Sequence, residues 1–430
     1  MSALRFCHLT TFYPPYHFGG DGMGIQRLCR GLVRRGHHVT VVHDADAYNA
    51  LHEGSEPGPA AEPEGLEVIA LKSGVGTLSP LLTQQLGRPV LNAGRIRRIL
   101  AEGRFDVINY HNVSLIGGPG LWALGDGIKL YMAHEHWLVC PSHVLWRHGR
   151  ELCTGRQCLR CVASYRRPPQ LWRYTKGLQK RQHHVDTFIA MSRFSREKHR
   201  EFGFEPEMEV LPYFLPDPAP GEGPAAPPGG DSPHARPYFL FVGRLEKIKG
   251  LQGVIGLFST YAEADLVIAG DGEYAAELRA LAAGNERVHF LGRVAPEELA
   301  RYYRHSIALI VPSICFETFG IILIEAFRAG TPVIARRLGP FPEIVETAQA
   351  GELFSSPDEV LAAMRRLQSD PELRRRYVEN GWHAFVEHWS ESAVLPRYLE
   401  LVRRAAEKRG ERRVVQALTS PASRSSTECP

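Results

Sequence analysis

The chain has 430 residues, of which 44% are hydrophobic and 23% are charged, a balance typical of a globular protein with two or more domains. Its 51 basic residues outnumber its 47 acidic ones by only four, a surplus too small to indicate binding to nucleic acid. Because no apolar run approaches the roughly eighteen residues of a membrane span and residues 1–9 lack the features of a secretion signal, we expect a cytoplasmic protein, at most peripheral at the inner face of the membrane.

The first elements predict a βαβ unit with a glycine-rich turn. An apolar strand at residues 4–9 is followed by a turn-rich segment, a helix that starts at Gly24, and a second strand at residues 39–42. Glycines before a helix let the backbone approach a phosphate closely, although glycine pairs more often serve turn geometry alone. Gly19 and Gly20 in this turn are therefore candidates for a phosphate site.

Two histidines follow apolar strands of the same predicted sheet. His111 lies at the end of residues 105–112, and His134 lies at the end of residues 128–136. Ligands of parallel α/β sheets bind beyond the carboxyl ends of the strands, so a ligand-facing residue belongs at such positions. A buried structural histidine is the alternative at each of them. We favour His134 as the ligand-facing residue.

Four cysteines cluster in a loop at residues 140–161. Cys140, Cys153, Cys158 and Cys161 are separated by twelve, four and two residues. Four thiolates complete a tetrahedral zinc site with no open position, so such a site would be structural. Reduced thiols, or a redox-sensitive group, are the alternative.

A basic segment at residues 172–184 carries arginine, lysine and histidine among aromatic residues. With Arg95, Arg97 and Arg98 it would form a surface for an anionic membrane or for a phosphate-bearing acceptor. The alternative is a solvated helix face.

Residues 216–237 accumulate proline, glycine and alanine, the composition of a linker. We therefore divide the chain into a first domain at residues 1–215 and a second at residues 238–388. A closing helix is predicted at residues 389–408, and a disordered tail at residues 409–430.

The second domain begins with the apolar strand 238–242, followed by Arg244 and Lys249 before a helix. This is the place to hold a diphosphate, through a guanidinium fork and an ammonium point charge. Another strand ends in a glycine turn that contains Gly270 and Gly272.

A strand at residues 308–313 is followed by a loop and by a helix that begins at Ile321. Glu317 lies in the loop and Glu325, eight residues later, lies in the helix. Carboxylates repel phosphate but accept hydrogen bonds from paired hydroxyls, so they suit the sugar and ribose of a nucleotide-diphosphate sugar. The alternative is a helix cap and a solvated surface charge, but Glu325 is flanked by apolar residues, where an unpartnered carboxylate is costly.

Taken in order, the motifs Gly243-Arg244-…-Lys249-Gly250, Gly270-Asp271-Gly272 and Glu317-x7-Glu325 resemble those of retaining GT-B glycosyltransferases of family 4. The resemblance covers about residues 3–400. It implies two Rossmann-like doubly wound α/β domains that face a central cleft, with a C-terminal helix that crosses back.

The resemblance also implies roles for individual residues. Arg244 and Lys249 would bind the donor diphosphate, Glu317 would contact sugar hydroxyls, and Glu325 would contact the ribose. His134 matches a family histidine near the reacting sugar, and Glu135 stands where the family has an aspartate. The predicted catalytic residues are His134, Arg244, Lys249 and Glu317. The predicted donor-binding residues are Gly19, Gly20, Arg244, Lys249, Gly270, Gly272, Val294, Phe319, Gly320, Ile321 and Glu325.

The predicted function is transfer of a sugar from a nucleotide-diphosphate donor to an acceptor hydroxyl with retention of configuration. The acceptor is a glycan, a lipid or a small molecule, in the synthesis of envelope polysaccharide, glycolipid or natural-product glycoside. Catalysis needs no metal, because cationic side chains and a helix N-terminus neutralise the leaving diphosphate. One alternative is a nucleotide-sugar epimerase or hydrolase on the same plan, and another is a metal-stabilised protein that binds RNA or membrane without catalysis.

Overall fold

The computed structural model describes residues 2–52, 57–58, 60–224 and 231–419. The strands before the predicted linker are β1 (Arg5–Leu9), β2 (His38–Asp44), β3 (Leu66–Leu71), β4 (Val107–Tyr110), β5 (Ile128–Ala133), β6 (Trp146–Arg147), β7 (Glu151–Leu152), β8 (Thr187–Ala190) and β9 (Met208–Val210). Strands β6 and β7 form a small antiparallel hairpin. The other seven form a parallel sheet in the order β3-β2-β1-β4-β5-β8-β9.

A second parallel sheet follows the linker. Its strands are β10 (Tyr238–Val242), β11 (Asp265–Ala269), β12 (Val288–Gly292), β13 (Leu309–Val311), β14 (Val333–Arg336) and β15 (Gly351–Phe354), in the order β12-β11-β10-β13-β14-β15. In both sheets the order reverses beside the first strand of the domain, between β1 and β4 and between β10 and β13. A crevice opens at such a reversal, at the carboxyl ends of the strands, and ligands bind there.

Helices connect the strands of both sheets. They are α1 (Gly20–Arg34), α2 (Ala45–Asn49), α3 (Leu78–Leu86), α4 (Ala93–Gly103), α5 (Cys158–Ser164), α6 (Arg193–Glu201), α7 (Gln252–Ile255), α8 (Ala275–Leu281), α9 (Pro296–His305), α10 (Ile321–Arg328), α11 (Phe341–Ala348), α12 (Pro357–Ser369), α13 (Pro371–Ala384), α14 (Glu391–Arg409) and α15 (Arg412–Thr419). In α1 the residues Ile25, Leu28 and Leu32, spaced three and four apart, are all buried. This stripe packs α1 on its sheet.

Helix α14 returns from the second domain to the first. A Cβ built on Gly31 of α1 would lie 2.9 Å from Leu395 of α14, so the two helices are in close contact. Arg34 Nε donates to Glu391 Oε1 at 3.1 Å, and Arg409 Nη1 lies 3.2 Å from Asp186 Oδ2. The predicted closing helix that crosses back is therefore present.

The predicted disorder of the tail from Arg409 was wrong for residues 409–419. Arg412–Thr419 forms α15, in which Val414 and Ala417 are buried against the core. Arg413 pairs with Asp106 of the first domain. A short apolar stripe inside a strongly charged segment thus gains packing that composition does not reveal. Residues 420–430 lie outside the described part of the chain.

Candidate functional site

Two helix N-termini meet across the cleft between the sheets. Helix α1 begins at Gly20, four residues before the predicted start, and α10 begins at Ile321 as predicted. A Cβ built on Gly20 would lie only 3.5 Å from Ile321 Cγ2. The preceding residues, Gly19 and Gly320, have no capping side chain. Backbone N–H groups of both domains therefore face one place, which suits an anion.

Lys249 and Glu317 form an ion pair beside α10. Lys249 Nζ lies 2.7 Å from Glu317 Oε1, and Ser313 Oγ donates to the same oxygen at 3.1 Å. Burial acts to raise the pKa of Glu317, but the Lys249 ammonium outweighs it and holds that pKa below its ordinary value. In Lys249 burial acts to lower the pKa, and the Glu317 carboxylate more than offsets it. Both groups are therefore charged near neutral pH.

Arg244 lies in the same loop region but points to a different partner. Its Nη1 is 2.9 Å from Glu246 Oε1, and its side chain is about half exposed, at 54%. Arg244 still lies close enough to help lower the pKa of Glu317. It is thus the more exposed of the two predicted diphosphate ligands, since the Lys249 side chain is only 23% exposed.

Glu325 on α10 faces the first domain. Arg27 Nη2 of α1 lies 3.5 Å from Glu325 Oε1. Burial raises the pKa of Glu325, and Arg27 opposes that rise. Burial, reinforced by the neighbouring Glu325 carboxylate, raises the pKa of the Tyr303 phenol well above its ordinary value. Sequence reasoning missed Arg27, since nothing in the α1 pattern distinguishes it from the other surface arginines of that helix.

The imidazole of His134 is held in a chain of buried side chains. His134 Nε2 lies 2.7 Å from His111 Nδ1, and His111 Nε2 lies 2.8 Å from His8 Nδ1. The other nitrogen, His134 Nδ1, bonds to the Tyr213 hydroxyl. Both ring nitrogens are thus engaged, and the group that reaches the second domain is the backbone carbonyl, which accepts from Thr318 Oγ1 at 2.7 Å. A direct catalytic role for His134 stays a prediction, and this geometry favours a positioning role.

These histidines are neutral at physiological pH. Burial lowers the pKa of His8 to about 3 and that of His134 to about 4. Burial, reinforced by the two neighbouring rings, also holds the pKa of His111 well below its ordinary value. Each neutral ring carries one N–H, so each of the three imidazoles donates through one nitrogen and accepts through the other. The hydrogen bonds along the row of histidines therefore all point the same way. The tautomer of His134 is therefore linked to those of His111 and His8.

We expect the protein to lose stability as the pH falls from 7 to 5. The folded-state pKa values of His8 and His134 lie below the unfolded value of about 6.5, so the unfolded chain takes up protons first. Stability present above pH 6.5 is then lost toward pH 4, by about 2 kcal/mol per histidine at pH 5. Denaturant titrations measure this loss. In His8→Gln the loss of stability at pH 5 should be smaller by about 2 kcal/mol, the share of one histidine. In the exposed His183→Gln the loss should equal that of the wild type. Equal losses in both variants would contradict the assignment.

Gly270 and Gly272 hold two loops of the second domain together. A Cβ on Gly270, whose φ is +146°, would lie 1.9 Å from the Gly243 carbonyl oxygen. A Cβ on Gly272 would lie 2.5 Å from the carbonyl oxygen of Leu245. The structure therefore gives these glycines a packing role beside the Arg244 loop. Their predicted contact with a donor stays a prediction, as does that of Val294, which packs partly buried against the core.

The first domain touches the loop before α10 at several points. Ser192 Oγ donates to the Thr318 carbonyl at 2.7 Å, and the Tyr213 ring lies 5.8 Å from that of Phe319, which is buried. Glu343 of α11 accepts from the backbone N–H groups of Arg193 and Phe194, each at 3.2 Å. Glu343 thus caps a helix of the other domain, a contact that sequence reasoning missed.

Glu135, for which the resemblance predicts an aspartate, pairs with a residue of the cysteine-rich loop. Its Oε1 lies 2.7 Å from His143 Nδ1 in the cysteine-rich loop. The structure therefore links Glu135 to the arrangement of that loop.

The four cysteines surround one cavity. Cys140, Cys153, Cys158 and Cys161 all line it, and each is a free thiol. No three of their sulfurs lie within 4.8 Å of one another. Zinc binding by these four thiols stays a prediction.

A further polar cluster lies at the amino end of β11. His234 Nε2 and His289 Nε2 lie 2.8 Å and 3.2 Å from Asp265 Oδ2. Arg236 Nε is 3.1 Å from the other carboxylate oxygen, and Arg287 Nη1 is 3.9 Å from it. Because two guanidinium groups already neutralise this carboxylate, the cluster serves as an ion-pair network of the second sheet.

The predicted basic segment is not one helix. Residues 171–175 and 182–184 form two short 3-10 helices. Trp172 is buried, and Arg173 donates to the carbonyl oxygen of Leu138 at 3.3 Å. Arg95, Arg97 and Arg98 are exposed on α4. Among the described residues, none of the helices is long and apolar enough to cross a membrane.

Two family models match the chain. The model described as glycosyl transferases group 1 matches residues 226–383, and that described as glycosyltransferase family 4 matches residues 18–215. A phosphatidyl-myo-inositol mannosyltransferase of Mycobacterium leprae is 33% identical over 175 residues, which make up 39% of this chain and 46% of the relative. The chain thus spans about half the length of the leading curated relatives.

Solved structures share the architecture. A sucrose-phosphate synthase from Thermosynechococcus elongatus has a TM-score of 0.71 at 18% identity, over 94% of this chain and 100% of the other. The Anabaena protein HepE, solved in complex with UDP-glucose, has a TM-score of 0.62 at 17% identity, over 95% and 100%. These likenesses show the fold, and the predicted two-domain GT-B class is confirmed.

Proposed function

Because the chain belongs to the group 1, or family 4, glycosyltransferases, we propose that it transfers a sugar from a nucleotide-diphosphate donor to an acceptor hydroxyl with retention of configuration. The observation that carries the proposal is the meeting of two helix N-termini that are preceded by glycines without a capping side chain. They lie so close that a Cβ built on Gly20 would be 3.5 Å from Ile321 Cγ2. A diphosphate placed there would lie between the two domains. Glu317 in the loop before α10 and Glu325 on α10 would then bind the hydroxyls of the same donor, because carboxylates accept hydrogen bonds from hydroxyls and repel phosphates.

The two cationic and the two carboxylate side chains would bind different parts of this donor. Arg244 and Lys249 would take the negative charge that develops on the leaving diphosphate, together with the N-terminus of α10. Glu317 would bind sugar hydroxyls, and its ion pair with Lys249 would keep it ionised for that role. Glu325 would bind the ribose, taking the place of its contact with Arg27.

In this proposal the acceptor hydroxyl attacks the anomeric carbon from the same face that the leaving group departs from. Attack from that face retains the configuration. Glu317 is already bound to Lys249 and Ser313, which makes it a poor covalent nucleophile. The departing phosphate would accept the proton of the acceptor hydroxyl. Contacts between the domains at Thr318 and Phe319 would exclude water that otherwise hydrolyses the donor.

The donor class is supported by solved relatives of the same fold. The Anabaena protein HepE was solved with UDP and with UDP-glucose. We extend only the nucleotide-diphosphate sugar class to this chain. A thermal-shift screen should find one such donor that, at 100 times its dissociation constant, stabilises the protein by about 2.7 kcal/mol. Free sugars at the same concentration are the control, and a screen in which no nucleotide sugar raises the melting temperature would contradict donor binding.

Product analysis tests the reaction itself. With a donor labelled in the sugar, we expect label in an acceptor glycoside whose anomeric configuration equals that of the donor. Label found only in free sugar would indicate a hydrolase, and label in an isomerised donor would indicate an epimerase. Inverted configuration in the glycoside would leave a transferase but overturn retention.

The acceptor is proposed to be a glycan, lipid or small molecule of envelope or glycoside synthesis, bound beside the first domain. Large apolar side chains are exposed on α3 and beside it, near the basic residues of α4; they are Leu78, Leu81, Leu86, Leu91, Leu171 and Tyr174. Apolar and cationic groups together favour peripheral contact with an anionic membrane. This surface supports a lipid-linked acceptor, and sedimentation with vesicles of phosphatidylglycerol tests it.

A further inference from the structure

The cysteine-rich loop is a small module with little apolar core of its own. It contains the two-residue strands β6 and β7 and the seven-residue helix α5. The core cluster there has three buried members, of which Cys140 and Leu145 belong to the loop and Phe202 directly follows α6. Elements this short are not stable by themselves in water. A further link between them is therefore expected.

We propose that Cys140, Cys153, Cys158 and Cys161 bind one structural zinc ion. The four residues come from separate parts of the module. Cys140 precedes the hairpin, Cys153 follows β7 directly, and Cys158 and Cys161 lie one turn apart on α5. All four nevertheless line a single cavity of about 20 Å³, which is enough for one small ion. The fold thus places four soft ligands around one cavity, the ligand number and type that a closed zinc site requires.

The surroundings of the cavity suit a site of negative charge. Four thiolates around Zn²⁺ carry a net charge of −2, which needs compensation in a partly buried place. Arg147 and Arg156 line the same cavity, and Arg173 lies within electrostatic range of Cys140. In addition, the backbone N–H of His148 donates to Cys161 Sγ at 3.3 Å. Hydrogen bonds to sulfur orient metal-bound thiolates in this way.

Binding requires a local rearrangement of side chains. With Zn–S distances of about 2.3 Å, the sulfurs of a tetrahedral site lie about 3.8 Å apart, closer than the described spacing. Cys140 Sγ now lies 3.2 Å from Ser142 Oγ, and Cys153 Sγ donates to the Gly155 carbonyl at 3.4 Å. Side-chain rotation about χ1 would exchange these weak local contacts for metal ligation.

The module also touches the loop that carries Glu317. Phe316, like Cys153, packs against the cluster that contains Cys140, and it immediately precedes Glu317 in the chain. Lys198 Nζ lies 4.6 Å from the Phe316 ring on the same side. Zinc would therefore stiffen the support of the Glu317 loop. This last step rests on the proposed function, whereas zinc binding does not.

Metal analysis of the full-length protein tests the site. Protein made in zinc-containing medium and purified under reducing conditions, without a metal-affinity step, should contain about one zinc per chain. The double variant Cys158→Ala/Cys161→Ala should contain none. Cys29→Ala, which removes a fully buried thiol of α1, is the matched control and should keep its zinc. Zinc-free wild-type protein, or iron with acid-labile sulfide in place of zinc, would overturn the proposal.

A second measurement keeps the test decisive if the double variant does not fold. Wild-type protein stripped with a chelator should regain a higher melting temperature when one equivalent of zinc is returned, and magnesium should not restore it. No recovery with zinc would overturn the site. If zinc binds but its removal leaves the donor KM unchanged, the site stands and the support of the Glu317 loop is disproved.

Discussion

Replacing Lys249 with alanine should lower kcat by about 100-fold to 1,000-fold, a loss of roughly 3–4 kcal/mol in transition-state stabilisation. The Lys249 ammonium lies 2.7 Å from Glu317, close to the N-terminus of α10. In the proposed reaction its charge opposes the charge that builds on the leaving diphosphate. Because that charge is largest in the transition state, the effect belongs to kcat more than to KM. Initial rates at saturating donor measure it.

The matched control is Lys247→Ala, which removes an exposed lysine from the same short turn. It should turn over like the wild type. The double variant Lys249→Met/Glu317→Gln separates catalysis from structure, because it removes both partners of the ion pair and leaves no unpaired charge. If the double variant recovers the wild-type rate, Lys249 serves only to neutralise Glu317, and its assignment to the diphosphate is wrong.

Local patterns predicted the strands that matter for the site. Tyr238–Val242 is a fully apolar run, and its observed bounds equal the predicted ones. The helix at Ile321 also begins where predicted, because a loop with glycine separates it from a buried strand. The start of α1 was placed four residues late, since three of its first five residues are glycine and hide the helical pattern.

Contacts between distant strands could not be predicted in this way. His8, His111 and His134 form one chain only because β1, β4 and β5 are neighbours in the sheet. Alternation of strands and helices does not give strand order, so His8 carried no signal. The pairing of Arg27 with Glu325 depends likewise on how two domains face each other. Such contacts depend on which strands and which domains are neighbours. Each donor motif, in contrast, lies within a short stretch of sequence and can be recognised there.

Glu325 offers the clearest separation of donor affinity from turnover. It is the fifth of the eight residues of α10, and its carboxylate is partly exposed, at 28%, with Arg27 opposite. If it binds the ribose, the carboxylate accepts two charge-assisted hydrogen bonds from the ribose hydroxyls, and both are present in the ground state and in the transition state. A contact of this uniform kind changes KM and leaves kcat nearly unaltered.

We therefore expect Glu325→Gln to raise the donor KM about 10-fold to 100-fold, the equivalent of about 1.5–3 kcal/mol. Burial raises the pKa of Glu325, so in the wild type the carboxylate is lost as the pH falls through that raised value, and KM should rise on acidification. In Glu325→Gln this rise should be absent, whereas the surface variant Glu346→Gln should keep the wild-type profile. Initial-rate measurements across pH decide the matter: if Glu325→Gln retains both the wild-type KM and its pH dependence, the ribose is bound elsewhere, and Glu325 acts only as the partner of Arg27 between the two domains.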